Sequence, residues 1–270
     1  MLSGSRPMST RYTEGLLGHR TYGEYDRLLL LEQMCDPGTI RVLEHVPMAP
    51  DWHCAEVGAG TGGMARWLAE RCPDGQVTAT DLDTHFLDSA PRPGNLRVSQ
   101  QDVTTTDFPT ASLDLVHARA VLTHLPAPEQ IVQRMTHWLK PGGWLVIEDP
   151  TYLPAEGSPY PDFARLLTAC EKLLAQTNGT DSSWARRIPA AMAAAGLTDL
   201  KMSAELSACG RDKTEDQYWR QCFIQATPAL LASGLITEPQ IRRAISHLDQ
   251  PAFSDAGWLM VSCRARKNHQ

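Results

Sequence analysis

Between His53 and Asp149 the apolar positions keep changing period. "HCAEV", "QVTATDLD", "LRVSQQDV", "LDLVHAR" and "WLVIED" are short runs of small and β-branched residues, the length of buried strands. Between them, "GMARWLAERC" and "PEQIVQRMTHWL" carry apolar residues at helical spacing. In the second, Ile131, Val132, Met135, Trp138 and Leu139 form one stripe, which "KPGG" ends. "THFLDSA" is also helix-like. Strand and helix alternating through short loops predict a parallel sheet covered by helices on both faces.

Beyond Pro150 the rhythm changes. "PDFARLLTACEKLLAQ" and "IPAAMAAAGL" read as helices, "DLKMSAEL" as a sixth strand and "WLMVSCRAR" as a last one. A long helical stretch, 214–249, stands where a tight hairpin would serve. Ahead of the sheet, Leu28, Leu29, Leu31, Ile40, Val42 and Leu43 suggest two short helices broken at Asp36–Gly38, and residues 1–20 read as a polar flap. The expected fold is α/β, a doubly wound, seven-stranded, mostly parallel sheet. The expected organisation is a helical cap at 1–50 and a main domain at 51–270, with helical insertions near 151–185 and 214–249 forming a lid.

The first strand runs into "GAGTGG". Gly58, Gly60 and Gly63 satisfy G-x-G-x-x-G, which allows a tight turn, close backbone approach to a ligand and a helix N-terminus facing it. The pattern alone suits a dinucleotide as well as other nucleosides. Glu56, two residues before the first glycine, tilts the choice, because a carboxylate repels a pyrophosphate but attracts an ammonium or sulfonium. Asp81 closes the second strand, where a carboxylate can accept both ribose hydroxyls. Asp102 ends the third and suits an adenine amino group.

"EVGAGTGG", "TATDLD", "QQDV", "LDLVHARAVLTHL" and "LKPGGWLVIED" follow one another in an order and spacing that resemble the class I S-adenosylmethionine-dependent methyltransferases. The likeness is close over residues 52–150 and looser elsewhere, and "GTDSSWARRIPAAMAAAGL" draws it toward the small-molecule, natural-product branch. The resemblance implies a Rossmann-like methyltransferase fold and S-adenosyl-L-methionine as cofactor. Gly58, Gly60 and Gly62 would line the methionine and ribose, with Asp81 on the ribose hydroxyls and Leu82 against the adenine. Asp102 and Val103 would hold the adenine edge, Ala118 and Arg119 would pass under the methionine, and Gln33 would reach in from the N-terminal helices.

Methyl transfer from a sulfonium needs a dry site and a nucleophile held in line, plus a base only when the nucleophile is an oxygen. His124, just after the fourth strand, is the best-placed base; its plainer reading is packing or cofactor support. His117 reads as core. Tyr22 and Tyr25 either close over the substrate or pack a short helix. Glu148, Asp149 and Tyr152 end the fifth strand, where one of them would meet substrate. Arg119 pairs with the cofactor carboxylate or with Glu129, and Trp184 reads as a packing anchor. "IEDPTY" offers only acids where a metal-dependent relative would pair Asp with Asn, so no metal is expected. The lack of "NPPY" disfavours DNA bases as acceptors.

Composition narrows the partners. With 31 acidic against 25 basic residues and a net charge of −6, the chain does not read as a nucleic-acid or anionic-membrane binder. No apolar run spans a bilayer and no secretory core opens the chain, so a cytoplasmic protein is expected. The 7 cysteines, without a CxxC pair, read as packed thiols. The C-terminal "RARK" reads as solvated charge, and a homodimer is compatible with everything above. The function expected is methyl transfer to an oxygen or nitrogen of a small natural product. The alternatives are a non-methylating enzyme that uses the same cofactor for cyclisation or rearrangement, and a peptide-terminus methyltransferase.

Overall fold

The structure is a computed structural model that describes residues 15–210 and 212–269. Most of the expected flap, residues 1–14, lies outside the described residues, and 15–23 form turns. Helix α1 (Glu24–Leu43) leads to β1 (His53–Val57), α2 (Gly63–Arg71), β2 (Gln76–Asp81), the single turn α3 (His85–Asp88) and β3 (Leu96–Gln100). Next come β4 (Leu113–Arg119), a 3-10 turn (Leu122–His124), α4 (Pro128–Trp138) and β5 (Leu139–Tyr152). The remainder is α5 (Pro161–Asn178), α6 (Ile188–Ala194), β6 (Leu197–Cys209), α7 (Lys213–Ser233), α8 (Glu238–Ser246) and β7 (Asp255–Lys267).

The strands form one seven-stranded sheet in the order β3-β2-β1-β4-β5-β7-β6. Pairs β1–β2, β1–β4, β2–β3 and β4–β5 are parallel. The order reverses beside β1, so the β1 and β4 carboxyl ends border the crevice where open α/β sheets bind ligands.

By compactness the chain divides into two units. One gathers Cys35–Thr151, Ser183–Glu205 and the residues from Met260 onward; the other gathers residues up to Met34, Tyr152–Ser182 and Leu206–Leu259. In the sheet-bearing unit, α2 buries Met64, Ala65, Leu68 and Ala69 against Cys54, Val77, Leu115 and Val146. Helix α4 starts with Pro128 in its first turn, buries Ile131, Val132 and Met135, and packs on α6. In the other unit, α5 packs against α7 and α8, and Phe163 meets Phe223 and Phe253 edge-on at 5.7 and 5.0 Å. There the buried Glu24 takes a two-pronged bond from Arg27 at 2.6 and 2.8 Å and a third from Gln225 at 2.7 Å.

Four expectations are corrected. The N-terminal helices are one helix, α1, with Pro37 inside it. Arg119 donates to Asp36 and Thr39, at 2.6 and 2.7 Å, and so grips the helix on both sides of the proline. "KPGG" lies within the long β5, at a register shift against β4, with Gly142 at φ 81°. Asp102 lies two residues past the end of β3, not in it. The basic tail belongs to β7: Lys267 donates to the carbonyls of Thr136 and Leu139 at 2.9 and 2.7 Å, and Arg266 to that of Gly142 at 2.9 Å. Arg264 and Arg266 also sit over the Trp144 ring.

Candidate functional site

Register places Cys54 and Glu56, Val77 and Ala79, Leu115, His117 and Arg119, and Trp144, Val146 and Glu148 on one face of the sheet; strand alternation adds Asp81. Toward the carboxyl ends this face turns from apolar to charged while staying buried. Exposure is 4% at Glu56, 8% at Asp81, 0% at His117 and 1% at Glu148. A parallel sheet covered on both faces is normally apolar throughout, and charges buried without partners are costly. These have partners. His117 places Nδ1 2.6 Å from Glu56 Oε2 and Nε2 3.1 Å from Glu148 Oε2. Ser262, on β7, donates to the other oxygen of Glu148. The chain of bonds thus crosses four adjacent strands, β1, β4, β5 and β7.

A ring with a carboxylate oxygen at each nitrogen makes both bonds only when both nitrogens carry hydrogen. Burial lowers the His117 pKa, but the two glutamates outweigh it and raise it to about 9. Burial raises Glu148, yet the bond and charge of His117, with help from Arg119 and Ser262, bring it down to about 2. At neutral pH the His117 ring is an imidazolium held between Glu56 and Glu148.

The glycine loop begins one residue beyond β1. Gly58, Gly60 and Gly62 have φ of 69°, 54° and 87°, a region that residues with a Cβ rarely enter. A Cβ at Gly58 would overlap the Val121 side chain, and one at Gly62 would lie 2.7 Å from Leu87 Cδ2. Two of the missing side chains therefore make room for the protein itself, which lets the loop fold flat on the strand ends. Gly58 and Ala59 donate to the Thr80 carbonyl at 2.8 and 2.9 Å. Asp81 accepts from the Gly60 amide at 2.9 Å and from the Asp83 amide at 3.3 Å. Asp81 thus braces the loop from the end of β2.

The same stretch is matched by the family model described as "Methyltransferase domain", over residues 55–147. Residues 55–147 thus match a methyltransferase domain. Methyltransferase str3 of Strobilurus tenacellus is 35% identical over 123 residues, which is 44% of this chain and 44% of that protein. The chain thus matches less than half the length of that relative. Haemonchus contortus phosphoethanolamine N-methyltransferase 2, solved with phosphomonomethylethanolamine and S-adenosylhomocysteine, aligns over 98% of this chain and 61% of that one. It gives a TM-score of 0.62 at 17% identity. The [4+2]-cyclase SpnF covers 88% of this chain and 83% of its own, with a TM-score of 0.53 at 18% identity. Both solved structures share the fold.

Within the methyltransferase domain, the residues singled out from the sequence fall as follows. The half-buried Leu82 gives its carbonyl to Gln100 Nε2 at 2.8 Å. Asp102 Oδ1 accepts from the amide and hydroxyl of Thr104, at 2.8 and 2.5 Å, which fixes the turn after β3. The Val103 carbonyl accepts from Arg134 at 2.8 Å. Ala118 is fully buried at the end of β4, and Ala120, just beyond, is held at φ 56°, a strained conformation for a residue with a Cβ. Arg119 does not pair with Glu129, which instead accepts from Arg187 at 3.2 Å.

His124 ends the 3-10 turn and is half-buried. On the opposite face of β5 from Glu148, Asp149 is completely buried and accepts from Trp184 Nε1 at 3.0 Å. Burial raises its pKa to about 8 despite that bond and the nearby amides of Thr123 and Val121. Trp184 is fully buried, as an anchor should be. Glu148 and Asp149 lie inside β5, not at its end, so neither is an exposed contact for substrate. The network through His117 went unforeseen in the sequence. Its one signal was three ionisable residues, Glu56, His117 and Glu148, inside runs otherwise fit for buried strands. In the other unit, Tyr22 lies in a turn and is 96% exposed, so it packs no helix; Tyr25 and Gln33 are also exposed.

Proposed function

We propose that this protein is an S-adenosylmethionine-dependent methyltransferase that methylates an oxygen or nitrogen of a small natural product. The observation that carries this reading is the coincidence, in one matched domain, of a left-handed glycine loop, Asp81 bonded to that loop, and a charged, buried end to an otherwise apolar sheet face. The solved relative with phosphomonomethylethanolamine supports a small acceptor. Seven cysteines without disulfides suit a reducing, cytoplasmic setting.

The residues fit the cofactor. The backbone of Gly58, Gly60 and Gly62 would lie against its methionine and ribose, Asp81 would take the ribose hydroxyls, and Leu82, Asp102 and Val103 the adenine. Ala118 and Arg119 would border the methionine, and Gln33 would add a polar contact. Glu56 supplies negative charge for its ammonium. When bound, the cofactor offers a methyl group on a positively charged sulfur. The protein's share is to exclude water, align the acceptor and, for a hydroxyl, take up its proton. His124 is the residue assigned to that proton, with Tyr22 assigned to the acceptor; an amine that arrives neutral needs no base.

The test is product mass after incubation with S-adenosylmethionine and a panel of hydroxyl and amine acceptors. A gain of one methyl group with release of S-adenosylhomocysteine is expected. A product isomeric with its substrate, formed while the cofactor stays intact, would favour cyclisation or rearrangement, the chemistry named for the similar cyclase fold. Turnover confined to peptides would favour the terminus-modifying alternative.

A further inference from the structure

Glu56 and Glu148 are supported unequally. Glu148 has the Ser262 hydroxyl and the charge of Arg119 as well as His117. For the Glu56 carboxylate, His117 is the one bonded partner among the described residues, at 2.6 Å. Without that ring, Glu56 would stand buried at the end of β1, facing the Glu148 charge across β4 with nothing to fix its rotamer. The ring is itself constrained, because Glu148 holds its far nitrogen and Ser262 holds Glu148. The order of bonds therefore runs from β7 inward to β1, and it ends two residues before Gly58.

We infer that His117 is a positioning residue, which fixes the Glu56 carboxylate beside the glycine loop for the ammonium-bearing end of an S-adenosyl ligand. This rests on the cofactor reading above. Other groups near the network are Cys35, Arg119, Asp149 and Cys263; the charge of Arg119 reaches Glu148, and Asp36 balances Arg119. Neutral His117 would leave the network with one more uncompensated negative charge, so the bridge needs its proton as well as its shape.

Two ligands separate positioning from plain structural support. S-adenosylhomocysteine carries the ammonium, whereas 5′-methylthioadenosine keeps the nucleoside and sulfur but lacks it. Calorimetric titration of wild type, Glu56→Gln, His117→Gln and the double variant should show S-adenosylhomocysteine weakened about tenfold or more by either change. The double variant should be no weaker than the single ones, because both act through the same carboxylate. Methylthioadenosine affinity should stay within about twofold throughout. Equal weakening of both ligands in His117→Gln would make His117 structural, and unchanged S-adenosylhomocysteine affinity in that variant would overturn the inference while leaving the cofactor reading intact. Failure of wild type to bind S-adenosylhomocysteine would remove both. Should His117→Gln not fold, nitrogen NMR of the wild-type ring decides. Protonation of both nitrogens at about pH 7.5 is expected, and a neutral tautomer would overturn the inference.

Discussion

On the face of the sheet away from His117, Asp149 holds a proton where most aspartates have none. It is buried, and its pKa is raised from 3.8 to about 8, chiefly by burial. Between those values the folded protein binds a proton that the unfolded chain has released, so this group makes stability fall as pH rises from about 4 to about 8. Asp149→Asn keeps an acceptor for Trp184 Nε1 and abolishes the titration. Thermal denaturation should show the variant gaining on wild type across that interval, with the gap closing toward pH 4. A gap independent of pH would mean that Asp149 is ionised in the fold. His117 and Asp149 thus show two ways of burying an ionisable group, one by pairing charges and the other by neutralising one.

Among the elements, β1, β4, α2, α4 and α5 were legible because their periodicity is strong and the helices are punctuated at an end by Pro73, Pro128 and Gly179 respectively. The continuity of α1 through Pro37 was not, since it depends on Arg119, a residue 80 positions on from Thr39. The length of β5 was hidden too, because "KPGG" reads as a stop when no partner strand is known. The C-terminal strand misled most. Its lysine looks like solvated charge, yet it bonds the last carbonyl groups around the α4–β5 junction, where a helix end leaves acceptors unsatisfied. Lys267→Ala should destabilise the protein by about 1–2 kcal/mol, measured by urea denaturation, through the loss of two hydrogen bonds with a charged donor. A change below about 0.5 kcal/mol would show that water replaces the lysine there.

For the molecule as a whole, the alternation of strands and helices around one parallel sheet was open to sequence reasoning because the strands, the glycine loop and the acids Asp81 and Asp102 follow one another in chain order. Residues that assemble from distant positions were not. The Phe163–Phe223–Phe253 core of the second unit and the chain from Glu56 to Ser262 join segments far apart in sequence. Most of what the sequence marked for cofactor lies within residues 55–147, the stretch that matches the methyltransferase family, so binding of the cofactor is the first thing to measure. Calorimetric titration of the intact chain with S-adenosylhomocysteine, alongside Asp81→Ala, should give one site per chain, weakened in the variant by about 1–3 kcal/mol as the hydroxyls lose a charged acceptor. Absence of binding by wild type would return the glycine loop to a dinucleotide or to packing alone, and equal affinity in the two proteins would place the ribose elsewhere.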